Sequence, residues 1–570
     1  MAKDVNLKFS DFPLITPSET KLSKKLEALI KELKECGSAA TALPVIKKWN
    51  KFMDKVDTEF TTVFVLYSLD TRNKTYKRAN DKLDEVSPIL ANYKNQFIKI
   101  LAKAPYRKDL EKKFGKFYFQ MIDDALKAFD EKIIPEMIED NKLGSKYNEI
   151  MGGAQIEFRG ETLNLSQLGK YTQDNDRDTR REAAKALDKW LGEHDQELGE
   201  LYSKMVLNRD KMAKKLGFKN YVELGYLVMN RYDYYPKMVA NYRKQIEDSV
   251  VPVCNKLYKA QMKGLGIKNP QYYDYNVSFK TGNPLPAGNK DYLVKEAQKM
   301  YHALSKESGE YFDFMVNHEL LDLEARAGKQ PGGYQCTFPL YKSPFIFSNF
   351  NGTSGDVDVL THEGGHAFQA YLTMDIKIPE FRNPTLESCE IHSMSMEFFA
   401  WPYAKGFFGK DDTKYRYSHL SSAIEFLPYG ITVDEFQHWV YEHPTATHEE
   451  RCAKWKEIES RLTPHKKFDE CPTLNKGTWW LRQGHIFTSP FYYIDYTLAQ
   501  VVAFQFLLLD QKNHEKAWKK YVKLCKCGGK YPFCELLEKN KLKNPFEDGN
   551  VGKIVKGCEK ILKGFDTSKF

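Results

Sequence analysis

The stretch Asp358–Tyr371, DVLTHEGGHAFQAY, decides the reading of this chain, because it sets two histidines four residues apart around a glutamate and two glycines. Four residues of helix turn the chain through about 400°, so His362 and His366 leave one face and both imidazoles can reach a single ion. Glu363 stands about 100° round from His362. Its carboxylate then lies beside the ion's open position, where it suits a general base acting on an activated water. Gly364 and Gly365 are poor helix formers, and their presence predicts a close approach by another element or by a peptide. Two other segments begin in the same way, HELLD at His318 and HEERC at His448, but lack the second histidine and read as solvated helix faces.

A catalytic zinc takes three protein ligands and keeps its fourth position for water. Candidates for the third are Glu387, Glu390, His392 and Glu397, all within NPTLESCEIHSMSMEFFAWPY, where Asn383-Pro384-Thr385 announces a helix. Glu390 and Glu397 are seven apart and share a face. Met394, Met396, Phe398 and Phe399 on the same helix imply burial, and a buried carboxylate needs a charge partner. One acid can ligate while the other braces a ligand histidine.

HEGGHAFQAY followed by the Glu390 to Glu397 pair resembles the thimet oligopeptidase and oligoendopeptidase F family of zinc peptidases, especially its Pz-peptidase-like branch. Agreement is dispersed from about Gly332 to Gln500; the N-terminal half matches in size and helical texture only. The resemblance implies Glu390 as the third zinc ligand, Glu397 behind a ligand histidine, and Glu387 as the reserve choice. It also implies a substrate-contacting cluster near the C-terminus, which here looks like GHIFTSPFYYIDYTLAQ. That assigns His485, Tyr493 and Tyr496 to the transition state and Tyr492 to substrate. Tyr493 and Tyr496 are three apart and can point to one side of a helix. A neutral phenol, with an ordinary pKa near about 10, can donate to an oxyanion at neutral pH. Two positions depart from the family pattern: Gln369 and Pro490 stand where many relatives carry histidine, which weakens any transfer of subsite preference.

At 570 residues the chain exceeds one ordinary core. The expected division is an N-terminal helical domain, 1–150, and a catalytic domain, 151–570. Helical periodicity runs from Pro17 to about Asp140. It gives way to period two at AQIEFRGETLNL, with Arg159-Gly160 as a turn between short strands, and resumes in a helical run closed by Gly217. Lys280 to Asp291, rich in proline and glycine, reads as a surface loop. PFIFSNF, Pro344 to Phe350, reads as a strand. It is a plausible edge for an extended peptide, with Phe347 as a contact and Gly352 turning the chain toward the histidine helix.

A net charge of +9 spread over 86 basic and 77 acidic residues leaves no nucleic-acid footprint. The start, MAKDVNLKFSDFPL, has no apolar core for export. VVAFQFLLL, Val501 to Leu509, is too short for a membrane span and reads as a buried helix. The ten cysteines follow no framework spacing and read as free thiols, Cys525, Cys527 and Cys534 included. These features predict a cytoplasmic protein with no membrane partner.

The expectation is a mostly α, zincin-type peptidase with a small β region beside the active-site helix and a deep channel, using one Zn²⁺ to hydrolyse internal bonds of short peptides. A zinc carboxypeptidase or dipeptidyl carboxypeptidase is the nearest alternative, with Arg482 as a candidate for capturing the substrate carboxylate. An inactive peptide-binding protein with a structural metal is the other, and Glu363 and the tyrosine cluster argue against it.

Overall fold

The computed structural model describes residues 7–326, 328–330 and 332–570. The first six residues, part of both the start read for export and the expected first domain, lie outside the described residues.

Helices Glu19–Lys34, Ala39–Leu69, Lys74–Lys103 and Lys116–Ala128 open the described fold. The first buries Leu22, Leu26, Leu29 and Leu33, a stripe at three- and four-residue spacing. It packs into a core of its own with Val45, Trp49, Met53, Leu90 and Phe97, where the Trp49 and Phe97 rings stack with centroids 3.8 Å apart. Phe381, from beyond the histidine motif, plugs the same core.

The expected hairpin forms between β1 (Ile156–Phe158) and β2 (Glu161–Leu163), paired antiparallel. Arg159 and Gly160 adopt φ of 51° and 84°, the left-handed pair that a two-residue hairpin turn requires. Helix Arg177–Lys215 ends where Gly217 turns to φ 91° and the Phe218 amide donates to the Ala213 carbonyl at 3.0 Å.

A larger core holds the rest of the chain, with a three-stranded sheet against it. β3 (Leu321–Glu324) runs parallel to β5 (Ser343–Phe350), and β4 (Tyr334–Phe338) pairs antiparallel with the other side of β5. The order β3-β5-β4 corrects the expectation for PFIFSNF. It is a strand, but a central one: both its edges are hydrogen-bonded and Phe347 is fully buried, so neither can meet a peptide. The free edges belong to β3 and β4.

β5 leads through a turn at Asn351–Ser354 into the motif helix, Gly355–Thr373. Asp356 shapes that turn by accepting the Asn351 and Gly352 amides at 2.9 and 2.8 Å, and Gly352 holds φ 83°. Gly352 is exposed there and does not line the pocket described below. The glutamate helix, Leu386–Phe399, crosses the motif helix, and the tyrosine helix, Tyr493–Asp510, packs on its far side. The tyrosine helix is buried nearly all round, as VVAFQFLLL predicts, and its interrupting Gln505 is satisfied by the Lys543 backbone at 2.8 and 2.9 Å. No helix among the described residues is long and apolar enough to cross a membrane.

Candidate metal centre

The motif helix carries His362 and His366 into one pocket, and the glutamate helix brings Glu390 to meet them. His362 Nε2 and His366 Nε2 lie 3.2 and 3.5 Å from Glu390 Oε2. A tetrahedral zinc with bonds of about 2.0–2.1 Å spaces its ligand atoms about 3.3–3.4 Å apart; both histidine–glutamate separations match that, and all three donor atoms lie within 4.8 Å of one another. They form the one His/Cys/Asp/Glu cluster of metal-binding geometry among the described residues. Cys525, Cys527 and Cys534 form none.

The two glycines permit this approach. A Cβ on Gly365 would lie 2.5 Å from the His392 carbonyl oxygen and 2.7 Å from Ser393 Cα, so the helices touch backbone to backbone where Glu390 must reach across. A Cβ on Gly364 would collide with the Tyr301 hydroxyl, while the Gly364 carbonyl accepts from Tyr311 at 3.0 Å. The close approach expected at this dipeptide therefore comes from packed protein on both sides.

Each ligand is held by a second partner. Glu397 Oε1 accepts from His362 Nδ1 at 2.7 Å, which leaves the Nε2 lone pair for a metal. Glu397 Oε2 accepts from His419 Nε2 at 2.8 Å, and the Trp401 indole donates to His419 Nδ1 at 3.1 Å. Glu390 Oε1 takes the Tyr492 hydroxyl at 2.8 Å and Oε2 takes Ser393 Oγ at 3.0 Å. Burial works to raise Glu390, but His366 and His362 overcome it and hold the carboxyl well below its usual range. Burial likewise opposes ionisation of Glu397, and its hydrogen bonds to His362 and His419 prevail and lower it. Glu363 differs: burial raises its pKa, with His362 and His366 only partly offsetting the effect.

Glu363 faces a cavity of about 380 Å³ that also meets Gly333, Tyr334 and Gln335 at the start of β4. His485, Tyr492 and Tyr496 close its other side. A second cavity, of about 680 Å³, continues along β4 past Gln335, Cys336 and Thr337 toward Trp49, Asp54 and Lys94 of the N-terminal helices. The cleft thus follows the sheet's β4 edge.

Residues 9–129 match the peptidase M3 N-terminal domain and residues 170–552 match peptidase family M3. The chain belongs to peptidase family M3. This M3 metallopeptidase is 44% identical to Pz peptidase A, solved with an inhibitor, at a TM-score of 0.95 over 98% of this chain and 100% of that one. A crystal structure assigned to oligoendopeptidase F is 43% identical, with a TM-score of 0.96 over 99% of this chain and 100% of the other. Oligoendopeptidase F of Lactococcus lactis subsp. cremoris is 23% identical over 398 residues, a match that spans 63% of this chain and 62% of that relative.

The M3 peptidase gathers most of the residues singled out in its sequence, with adjustments. Tyr496 Oη lies 3.3 Å from His485 Nε2, and His485 Nδ1 accepts from Gln483 Nε2 at 2.9 Å. With Nδ1 accepting and burial lowering its pKa, the imidazole is neutral and carries its proton on Nε2. It donates that proton to Tyr496, so the phenol keeps its own to donate into the pocket. Tyr492, expected at substrate, instead commits its hydroxyl to Glu390. Tyr493, paired with Tyr496 in the sequence reading, does not line the metal pocket: its ring packs on Phe426 and Tyr429, each 5.7 Å away between centroids. One residue of helix, about 100°, separates the two environments.

Glu387, the reserve ligand, is buried about one turn before Glu390 with Asp495 and Arg231 as its charged neighbours. Gln369 turns away from the pocket, donating to Thr373 Oγ1 at 2.9 Å and to the Arg382 carbonyl at 3.2 Å. His448, read as a solvated helix face, is half-buried against Asp195 at 2.7 Å. The sequence reading missed His419 and the start of β4. No local pattern ties His419 to Glu397, and YQCTF is too short a run after Gly332-Gly333 to separate from its loop.

Proposed function

We propose that this metallopeptidase is a zinc-dependent oligoendopeptidase that hydrolyses internal bonds of short peptides in a reducing, cytoplasmic setting. The observation that carries the reading is the convergence of His362, His366 and Glu390 at tetrahedral spacing beside a buried, unliganded Glu363. Two imidazoles and a carboxylate suit Zn²⁺ and leave one position open. When bound, zinc supplies Lewis-acid polarisation of the scissile carbonyl and acidification of the attacking water.

The chain's own residues do the rest. His362, fixed by Glu397, and His366 with Glu390 hold the ion. Glu363, made more basic by burial, takes a proton from the attacking water and passes it to the leaving amine. Tyr496, its hydroxyl oriented by His485, donates to the oxygen that gains charge. An extended peptide lies along β4, the edge strand whose Tyr334 and Gln335 line the metal pocket, rather than along the central β5. Tyr492 acts on Glu390 and Tyr493 through packing. A pocket of about 380 Å³ takes a single extended strand, which accounts for a preference for short, unfolded peptides.

The test follows a quenched peptide of roughly eight residues by mass spectrometry, with wild type compared to Glu363→Gln after both are checked for zinc. Internal cleavage should fall about 10²- to 10⁴-fold in the variant with metal content unchanged. Trimming confined to the carboxyl end would replace this reading with a carboxypeptidase.

A further inference from the structure

Beside the metal pocket lies a separate cavity of about 440 Å³, walled by Asp358, Tyr415 and His419 on one side and by Tyr272, Trp479 and Arg482 on the other. It adjoins the proposed reaction site through two elements. Asp358 stands one turn before His362 on the motif helix, about 6 Å along the axis, and Gln483, next to Arg482, donates to His485 Nδ1 at 2.9 Å.

The acid and the arginine of this cavity do not pair with each other. Asp358 accepts the Tyr415 hydroxyl at 2.6 Å, and His419 is bound to Glu397 at 2.8 Å. Arg482 forms no hydrogen bond or ion pair among the described residues; its guanidinium stacks over Trp479, 4.5 Å from the ring centroid. A second cation, Lys466, sits 4.8 Å from the same indole and 4.8 Å from the Tyr429 ring. The acid that answers Lys466, Glu459, stands 3.6 Å from it, beyond a close contact. Two cations thus share one aromatic platform, and of the two only Lys466 has an acid partner among the described residues. A stacked guanidinium has lost part of its hydration and keeps its planar fork of donors, which matches the two oxygens of a carboxylate.

We propose that Arg482, seated on Trp479 and supported by Lys466, recognises a carboxylate of the bound peptide. This inference rests on the peptidase reading above and deepens it: the bond cut is then counted from a negative charge, either the terminal carboxylate or an acidic side chain. Tyr429 links this platform to the reaction site, since its hydroxyl donates to Gln483 Oε1 at 2.7 Å.

The experiment compares one octapeptide as free acid, as carboxamide, and as carboxamide with glutamate at its last position, using wild type, Arg482→Gln and Arg482→Lys. Mass spectrometry gives the bond cut and kcat/KM. Calorimetry on zinc-loaded Glu363→Gln protein, with and without Arg482→Gln, gives affinity independently of turnover. Wild type should favour the acid over the carboxamide by about 10- to 100-fold, mainly through KM. Arg482→Gln should bring that ratio near one, and Arg482→Lys should retain part of it. Rescue of the carboxamide by glutamate names the side chain as the source; failure of that rescue, with the acid still favoured, names the terminus. Equal rates and affinities for acid and carboxamide in wild type, or an equal loss of both in Arg482→Gln, would overturn the proposal. Should wild type cut no peptide, the endopeptidase reading falls, and the calorimetric ratio alone decides the role of Arg482.

Discussion

Two positions of the glutamate helix, about one turn apart, hold buried carboxylates in opposite states. Glu390 meets His362, His366, Tyr492 and Ser393, and its carboxyl is held well below the usual range although burial opposes ionisation. Glu387, just as buried, has Asp495 beside it, and burial with that neighbouring charge pushes it up to about 8 despite Arg231. Burial alone neutralises a carboxyl group; what makes a buried carboxylate a metal ligand is the set of cations and donors facing it.

The largest way to break this comparison is to remove each acid in turn. Glu390→Ala should lose zinc and peptidase activity together, by more than the about 10- to 100-fold that an outer partner typically costs, whereas Glu387→Ala keeps both. Metal analysis after dialysis, beside peptide hydrolysis, checks this, and retention of zinc by Glu390→Ala would reverse the ligand assignment.

The tyrosines sharpen it further. Tyr496→Phe should lower kcat by about 10²- to 10³-fold, the usual loss for one oxyanion donor, without changing zinc affinity. Tyr492→Phe, which strips a proton donor from Glu390, should weaken zinc affinity instead. Competition with a chelator, run beside steady-state kinetics, separates the two; identical behaviour of both variants would show that the hydroxyls share one role. Glu397→Gln should reduce zinc affinity by about 10- to 100-fold through the loosened His362 imidazole, which the same competition reads.

The smallest effect belongs to Glu387 and concerns stability. Glu387 binds its proton more tightly when folded, so between its ordinary pKa of 4.5 and about 8 the native state holds more protons than the unfolded chain. Its stabilising contribution is therefore full below 4.5 and is lost as pH rises through about 8. Glu387→Gln should flatten that part of the fall in stability between pH 5 and pH 8 without touching zinc. Denaturant titrations at the two pH values measure it, and an unchanged slope would show that Glu387 ionises normally.

How far the site was legible depended on the range of the contacts. His362, Glu363 and His366 sit within one helical turn, where spacing alone fixes geometry. The Glu390 and Glu397 pair was legible as a shared face, but choosing Glu390 over Glu387 drew on family resemblance. The β1–β2 hairpin announced itself through Arg159-Gly160, whose left-handed turn is a local demand. The sequence does not separate a central from an edge strand here, because the apolar run Pro344–Phe347 marks a strand covered on both faces without saying which neighbours flank it. Tyr493 sits behind the pocket, with its ring 5.2 Å from His485 and 5.6 Å from Tyr496 between centroids, because three-residue spacing allows a common side without choosing the neighbours that fill it.

By itself the sequence determined the helical class, the histidine helix with Glu363 beside the two imidazoles, and the acids able to complete a metal site, because all of these follow from periodicity and side-chain chemistry over a few residues. Only the tertiary structure decided that β4 is an open edge, that Gly365 lets two backbones touch, that His419 backs Glu397, and that Arg482 and Lys466 share one indole. Those facts join residues tens to hundreds of positions apart, and only packing brings them within reach of one another.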